Sequence, residues 1–385
     1  MTALACAVLK SLTILYEIKN IECRRDMVCF EPPQWGIIQD ETLRLRKKMK
    51  AFRITAPYTT DLCDGNCPEP KAGEVLVRVR VVGLCGSDLN TYRGRNPMVS
   101  YPRIPGHEGA GGIEATGPDV PSSWTIGTAV TLSPYTSCGQ CTACRRGRAN
   151  CCRYNQTLGV QRDGALTERI VVPWPRLFSS TRLGFRQLAL VEPLTIGTHA
   201  VSRGQVTSAD TVAVLGCGCI GLGAVGAARH AGANVIAVDI DDAKLDLAAS
   251  AGASHTVNSA DAPLHERFFE LTDGRGPEVV IEAIGLPRTF QCAVDEVAFG
   301  GRVVYIGYAK EPVSYETKLF VQKELDIRGS RNALPEDFRR VISMLEQGHF
   351  PEKTVISRAC KLETVGHALA DWDADPAAFT KILVE

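Results

Sequence analysis

Along Glu74–Val82 (EVLVRVRVV) apolar and charged positions alternate with a period of two, which predicts a half-buried strand. A similar alternation begins at Met49 (MKAFRIT), as at the start of a β domain. Between these runs and about residue 190, glycine and proline recur at short intervals, at Gly106, Gly109, Gly111, Gly112, Gly117, Pro118, Pro121 and Gly127. Short strands with frequent turns predict a small, irregular barrel over residues 50–190. From Thr211 the pattern changes to alternating apolar runs and helical stretches. Strands are predicted at Glu278–Ala283 and Gly301–Gly307, and helices at Lys244–Ala251 and Thr289–Ala298. Asp326–Ser330 leaves this region. Pro335–Gln347 follows as an amphipathic helix with Phe338, Val341, Ile342 and Leu345 on one face, and Lys381–Val384 closes the chain as a strand.

The most informative stretch is Thr211–Asp239, TVAVLGCGCIGLGAVGAARHAGANVIAVD. A short buried strand runs into Gly216-Cys217-Gly218-Cys219-Ile220-Gly221, a helix runs from Leu222 to Ala231, Gly232 stops it, and a second strand ends at Asp239. In such a turn the first glycine permits the bend, the second lets backbone approach a pyrophosphate, and the third lets helix and strand pack closely. The helix N-terminus then offers free N–H groups and a positive dipole end to phosphates. Asp239 stands about 20 residues on, where a carboxylate can accept from a ribose 2′-hydroxyl. Gly216, Gly218, Cys219, Ile220, Gly221 and Asp239 are therefore expected to bind a dinucleotide. The bland alternative is an α/β turn beside an empty crevice. Cys217 and Cys219 fill the free positions of the turn as small residues; an exposed Cys217 would be a place where oxidation blocks the pyrophosphate.

The remaining composition narrows the class. The chain has 385 residues, enough for two or three domains, with 43 Lys+Arg against 43 Asp+Glu, so no global charge argues for nucleic acid or an anionic membrane. No apolar run approaches the ~18 residues of a membrane span. The 15 cysteines, an odd number in tight clusters, argue for metal thiolates in a reducing compartment rather than a secreted disulfide frame, and place the protein in the cytoplasm. Residues 1–48 stand apart, with three cysteines, a Pro32-Pro33 break and a basic end. They are expected to be an appendage, upstream sequence counted as coding; the apolar MTALACAVLKSLTILY lacks the basic start of a secretory signal.

Two constellations carry metal chemistry. Cys138-x-x-Cys141-x-x-Cys144 is followed by Cys151-Cys152, so four thiolates within 15 residues can wrap one tetrahedral zinc. Spacing alone leaves the fourth ligand open between Cys151 and Cys152. Such a closed set has no vacant position and should be structural; Arg145, Arg146 and Arg148 are expected to offset its charge. A redox CxxC is the rival. The second constellation is dispersed: Cys85 in GLCGSD, His107-Glu108 in PGHEGAGG, and Glu192 in VEPL. One thiolate, one imidazole and one or two carboxylates make a mixed site with room for water, the composition of a catalytic zinc centre.

With these residues in view, the chain resembles the zinc-containing medium-chain dehydrogenase/reductases, from about Met49 to Glu385. The run Gly106-His107-Glu108-x-x-Gly111-x5-Gly117-x-x-Val120 fits their zinc signature in full. The resemblance implies an α/β fold class: a GroES-like, β-rich catalytic domain over 49–193 and 330–385, and a Rossmann NAD-binding domain over 194–329 with a doubly wound parallel sheet. It implies that Cys85 and His107 ligate the catalytic zinc. Glu108 is a ligand in the sorbitol-dehydrogenase-like branch, and Glu192 stands where alcohol dehydrogenases proper carry Cys. Cys138, Cys141, Cys144 and Cys152 match the structural-zinc lobe, so Cys152 takes the open place. Asp239 and Lys244 match the pair that grips the adenosine ribose. No basic residue directly follows Asp239, so NAD is expected over NADP.

The reaction implied is hydride transfer between a secondary alcohol and NAD, with zinc as the Lewis acid. Ser87 would take the alcohol proton. Relatives end that relay at a His three residues later; this chain has Asn90, which cannot carry a proton as His can. Arg331, after the domain exit, is expected near the substrate or nicotinamide and suits a carboxylate or polyol. GSRN and EPLTIGTHAV look most like sugar-acid dehydrogenases of the L-galactonate or L-gulonate type. His199 either touches substrate or packs its helix. Threonine 3-dehydrogenase or a simple alcohol dehydrogenase is the competing specificity, and a catalytically silent nucleotide-binding protein the competing class. The family implies a homodimer or homotetramer, with Gly301–Gly307 expected as the edge for sheet-to-sheet pairing.

Overall fold

The computed structural model describes residues 48–385. The expected N-terminal appendage lies outside them, apart from Lys48, which opens the first strand, Lys48–Ala56.

Residues 211–329 form a six-stranded, all-parallel sheet. Across it run His255–Asn258, Asn234–Asp239, Thr211–Leu215, Val279–Glu282, Arg302–Tyr305 and Asp326–Gly329. Strand order reverses between Thr211–Leu215 and Val279–Glu282, which opens a crevice at their carboxyl ends. The interior strands read as continuous apolar runs because helices cover both faces. Val212, Val214, Val280 and Ile281 are fully buried. The edge corrects one expectation. Arg302–Tyr305 pairs on both sides, and the free edge is Asp326–Gly329. That strand is short and mostly polar, as exposed edges tend to be, and hides from an apolar-run criterion.

The β-rich part is a seven-stranded mixed sheet with a separate hairpin, Lys48–Ala56 against Thr59–Asn66. Its hydrogen-bonded path is open, ending on Ile356–Cys360 and Leu177–Ser179, where a barrel was expected. Strand Glu74–Leu84 lies at its centre, paired with Glu108–Thr116, Arg169–Pro173 and the closing strand Lys381–Val384. That crowding explains why its burial departs from simple alternation: Val75, Leu76 and Val77 are all buried, as are Val81–Leu84 at the other end.

The helix Phe185–Gly204 joins the two sheets and runs unbroken through residues 193 and 194 despite Pro193. It is apolar nearly all round, with Leu188–Leu194 all buried, as a helix covered on every side must be. Helix Pro335–Glu346 packs on it through the expected face of Phe338, Val341, Ile342 and Leu345. No helix among the described residues is long and apolar enough to cross a membrane.

Candidate active site

The glycine turn is built as its spacing requires. Gly216 sits at φ +96°, and a Cβ on Gly221 would stand 1.7 Å from the Gly216 carbonyl. A Cβ on Gly218 would meet nothing within 4 Å, so this stretch of backbone faces open space, a cradle for a pyrophosphate. Helix Cys219–His230 begins there with no side-chain cap on its first amides. Asp239 is fixed by the turn itself, accepting from Cys217 N at 2.7 Å and Ile240 N at 2.8 Å. A cleft of about 800 Å³ opens over the crevice, walled by Gly216, Gly218, Asp239, Lys244, Ile284 and Arg288 among others. Volume and lining suit a dinucleotide. Cys217 is fully buried, its thiol against the Val238 carbonyl, so the condition for oxidative blockage is not met. Arg331 has an exposed side chain and is not on the cleft wall; its carbonyl accepts from Asn150.

The dispersed residues converge. Strand Glu74–Leu84 ends directly before Cys85, which caps helix Gly86–Tyr92. Gly83 pairs with Glu108 across the antiparallel ladder, which brings His107 opposite the Cys85 turn. One donor atom from each of Cys85, His107 and Glu108 lies within 4.8 Å of the others. Asp88 locks the two turns together, accepting from Cys85 N at 2.9 Å and Gly106 N at 3.2 Å. His107 Nδ1 and Ser87 Oγ are buried without a hydrogen-bond partner among the described residues. Buried polar atoms without partners are costly, and a metal with its bound substrate is the kind of ligand that removes the cost.

Two charged groups there come from far along the chain. Lys381 Nζ donates to both Glu108 carboxylate oxygens, at 2.8 and 2.6 Å, and to the Leu84 carbonyl at 3.2 Å. Burial opposes the ammonium, but Cys219, Glu108 and Cys85 outweigh it and hold its pKa above the ordinary lysine value. Glu192 is 2% exposed and stands outside the tight three-donor group. Its carboxylate accepts from the Tyr135 hydroxyl. Burial pushes Glu192 up to about 7, aided by the Glu108 charge and opposed by His107, Tyr135 and Lys381.

The four-cysteine lobe also closes. Cys138, Cys141, Cys144 and Cys152 have their sulfurs within 4.8 Å of one another. Backbone amides point at them, Cys141 N to Cys138 Sγ and Cys138 N to Cys152 Sγ, both at 3.3 Å. Cys151 turns away and meets Arg148. Arg145 and Arg146 are exposed; the guanidinium whose charge acts on Cys144 and Cys152 is Arg176, from beyond the lobe. His199 is buried with both ring nitrogens engaged, Nδ1 by Asp337 at 2.8 Å and Nε2 by Asn150 at 2.9 Å, so it packs rather than faces a substrate.

Sequence reasoning missed Asp88, Tyr135 and Lys381. Asp88 had a local signal, an acid three residues after a helix cap. Tyr135 and Lys381 had none beyond a lone polar group beside an apolar run.

Residues 71–181 match the alcohol dehydrogenase GroES-like domain and residues 219–347 the zinc-binding dehydrogenase family. The chain is 34% identical to L-galactonate-5-dehydrogenase of Escherichia coli K12, over 73% of this chain and 82% of the relative. Its fold matches an alcohol dehydrogenase from Escherichia coli CFT073 solved with NADH, with a TM-score of 0.82, 34% identity, and 88% of this chain and 99% of the other covered. It also matches a zinc-binding dehydrogenase from Sinorhizobium meliloti 1021 solved with NADP, with a TM-score of 0.80, 31% identity, and 88% and 99% covered. The chain belongs to the zinc-type alcohol dehydrogenases of the medium-chain dehydrogenase/reductase superfamily. These enzymes act on CH–OH donors with a nicotinamide cofactor.

Proposed function

We propose that this enzyme oxidises a secondary alcohol of the polyol or sugar-acid class, with NAD as the hydride acceptor. One observation supports the pairing of metal and cofactor above the others. Helix Phe185–Gly204, which carries Glu192, packs directly on helix Cys219–His230, which starts at the phosphate-binding turn: a Cβ on Gly197 would stand 2.2 Å from Ala224 N, and one on Gly223 3.1 Å from the Leu194 backbone. The dispersed donors and the nucleotide turn therefore meet at one place.

In this reading Cys85, His107 and Glu108 hold a catalytic zinc, with Glu192 bound directly or through water, and Cys138, Cys141, Cys144 and Cys152 hold a structural one. The two ions and the cofactor supply a Lewis acid, a fold staple and a hydride acceptor. The chain's own residues do the rest. Asp88 orients Cys85 and His107 through their turn. Ser87 Oγ, buried without a partner among the described residues, accepts the substrate proton as it passes its own hydroxyl proton on to water or a ribose hydroxyl of the cofactor, Asn90 being unable to relay it. Gly216, Gly218 and Gly221 cradle the pyrophosphate with Cys219 and Ile220 beside it, and Asp239 with Lys244 grips the adenosine ribose. The pre-oriented Asp239 carboxylate would repel a 2′-phosphate, which favours NAD. Arg331, off the cleft wall, is assigned to a substrate carboxylate, a reading supported by the likeness to an L-galactonate dehydrogenase. Two chains pair through the edge Asp326–Gly329, where Ile327 is exposed. Reduced thiols suit the cytoplasm; the twelve cysteines of the described residues form no disulfide.

A panel of polyols, aldonates and threonine with NAD⁺ or NADP⁺, followed by absorbance of the reduced cofactor, tests this. An aldonate or polyol with NAD⁺ should give the highest kcat/KM. Faster turnover with NADP⁺ would overturn the role of Asp239, and threonine as the best substrate would overturn the substrate class.

A further inference from the structure

Two of the contacts between the four-cysteine lobe and the rest of the protein run through buried side chains, Tyr135 and Asn150, to one face of one helix. Tyr135 enters the lobe three residues before Cys138, and its hydroxyl donates to Glu192. Asn150 leaves it two residues before Cys152, and its amide nitrogen donates to His199 Nε2 at 2.9 Å and to the Arg331 carbonyl at 2.8 Å. Glu192 and His199 are seven residues apart in helix Phe185–Gly204, two turns on the same side, a rise of about 10 Å. Beyond His199 the chain of contacts continues. Asp337 accepts from His199 and from Leu334 N at 2.8 Å, which fixes the start of helix Pro335–Glu346. Asn332 Nδ2 returns a bond to the Asn150 carbonyl at 3.0 Å. Tyr135, Asn150, Glu192, His199 and Asp337 are each at most 5% exposed.

We propose that the lobe acts on the catalytic centre: Tyr135 and Asn150 are positioning residues that transmit the lobe's folded state to Glu192 and to the segment carrying Arg331. This rests on the reading above, in which both cysteine-containing clusters bind zinc. A short loop with four thiolates owes its shape to the ion, because metal binding is folding free energy in such segments. Tyr135, just before the first ligand, and Asn150, between the third and fourth, can hold their partners only while the loop keeps that shape. Glu192 stands outside the three-donor group, and among the described residues its one side-chain hydrogen bond comes from Tyr135, so its carboxylate is oriented from the lobe. Outer partners of this kind matter for metal retention, typically ~10–100-fold when removed. A lobe that served only as a local staple would need neither contact.

The experiment uses the full-length zinc-loaded protein and follows zinc release into a chromogenic chelator, beside steady-state kinetics and thermal melting. Cys85→Ser identifies the phase that belongs to the catalytic centre. Tyr135→Phe, nearly isosteric, should speed that phase by about 10-fold or more and leave the lobe phase and the melting temperature near wild type. Cys144→Ser, which empties the lobe, should speed the catalytic phase too, and much less so in the Tyr135→Phe background, because the shared contact is already gone. Asn150→Ala should raise substrate KM more than it lowers kcat, through the Arg331 segment. Release from the Cys85 centre at the wild-type rate in Tyr135→Phe overturns the inference while leaving both zinc assignments standing. A wild-type chain that binds only one zinc overturns the assignments themselves, and the inference with them.

Discussion

The two candidate metal centres are built on opposite plans. The lobe draws four like donors from 15 consecutive residues, leaves most of them near the surface, and aims backbone amides at its sulfurs. The other candidate centre draws unlike donors from residues 85, 107 and 108, with Glu192 outside that tight group, buries all of them but the half-buried Cys85, and surrounds them with charged or polar partners from residues 88, 135 and 381. Four equal thiolates satisfy a tetrahedral ion completely, whereas a mixed, incomplete set leaves a position for substrate. The cost of that openness is a cluster of buried charges that only stays folded when each has a partner.

The sharpest way to break the comparison is to remove one donor from the buried centre. Cys85→Ala should lower kcat/KM by roughly a thousandfold or more, the scale of several kcal/mol of Lewis-acid stabilisation. Metal analysis of the same sample should still find the lobe zinc. If turnover survives, the centre is not where the chemistry happens.

Next in size is Lys381→Met. It strands the Glu108 carboxylate in a buried site, and breaking such a pair costs about 3–5 kcal/mol. Urea unfolding of the metal-stripped protein reads this, and Glu108→Gln in the same background should recover part of the loss.

The third prediction concerns pH. Glu192 has a folded-state pKa of about 7, above the 4.5 expected when unfolded. Its contribution to stability is therefore fully present below about pH 4.5 and is lost as pH rises through about 7. Metal-stripped protein should be less stable at pH 8 than at pH 5 by about 2.5 kcal/mol, a difference that Glu192→Gln removes. The smallest effect belongs to the lobe's surface. Arg145→Ala and Arg146→Ala should each change stability by less than about 0.5 kcal/mol and leave zinc content at wild type.

The contrast also explains what the sequence revealed. The lobe was legible because its donors are neighbours, and spacing alone carries the geometry; only the choice between Cys151 and Cys152 needed the family pattern. The glycine turn and Asp239 were legible for the same reason. Cys85, His107, Glu108 and Glu192 stood out as a mixed donor set by residue type, but their assignment to one ion came through the resemblance, since no local rule connects residue 85 to residue 192. Lys381 and Tyr135 were invisible because their partners lie 273 and 57 positions away. The sheet edge was misplaced because Asp326–Gly329 has no apolar run to announce it, while the better-patterned Arg302–Tyr305 is an interior strand.

The bond between Lys381 and Glu108 has a consequence for how the enzyme is made. A ribosome delivers Cys85, His107 and Glu108 early, then the lobe, then the whole nucleotide-binding sheet. Until translation reaches Lys381, no strand lies beside Leu84 and the Glu108 carboxylate lacks its counter-charge. The charge balance around Cys85, His107 and Glu108 is therefore completed only when strand Lys381–Val384 docks beside Leu84, so this centre is assembled late in folding.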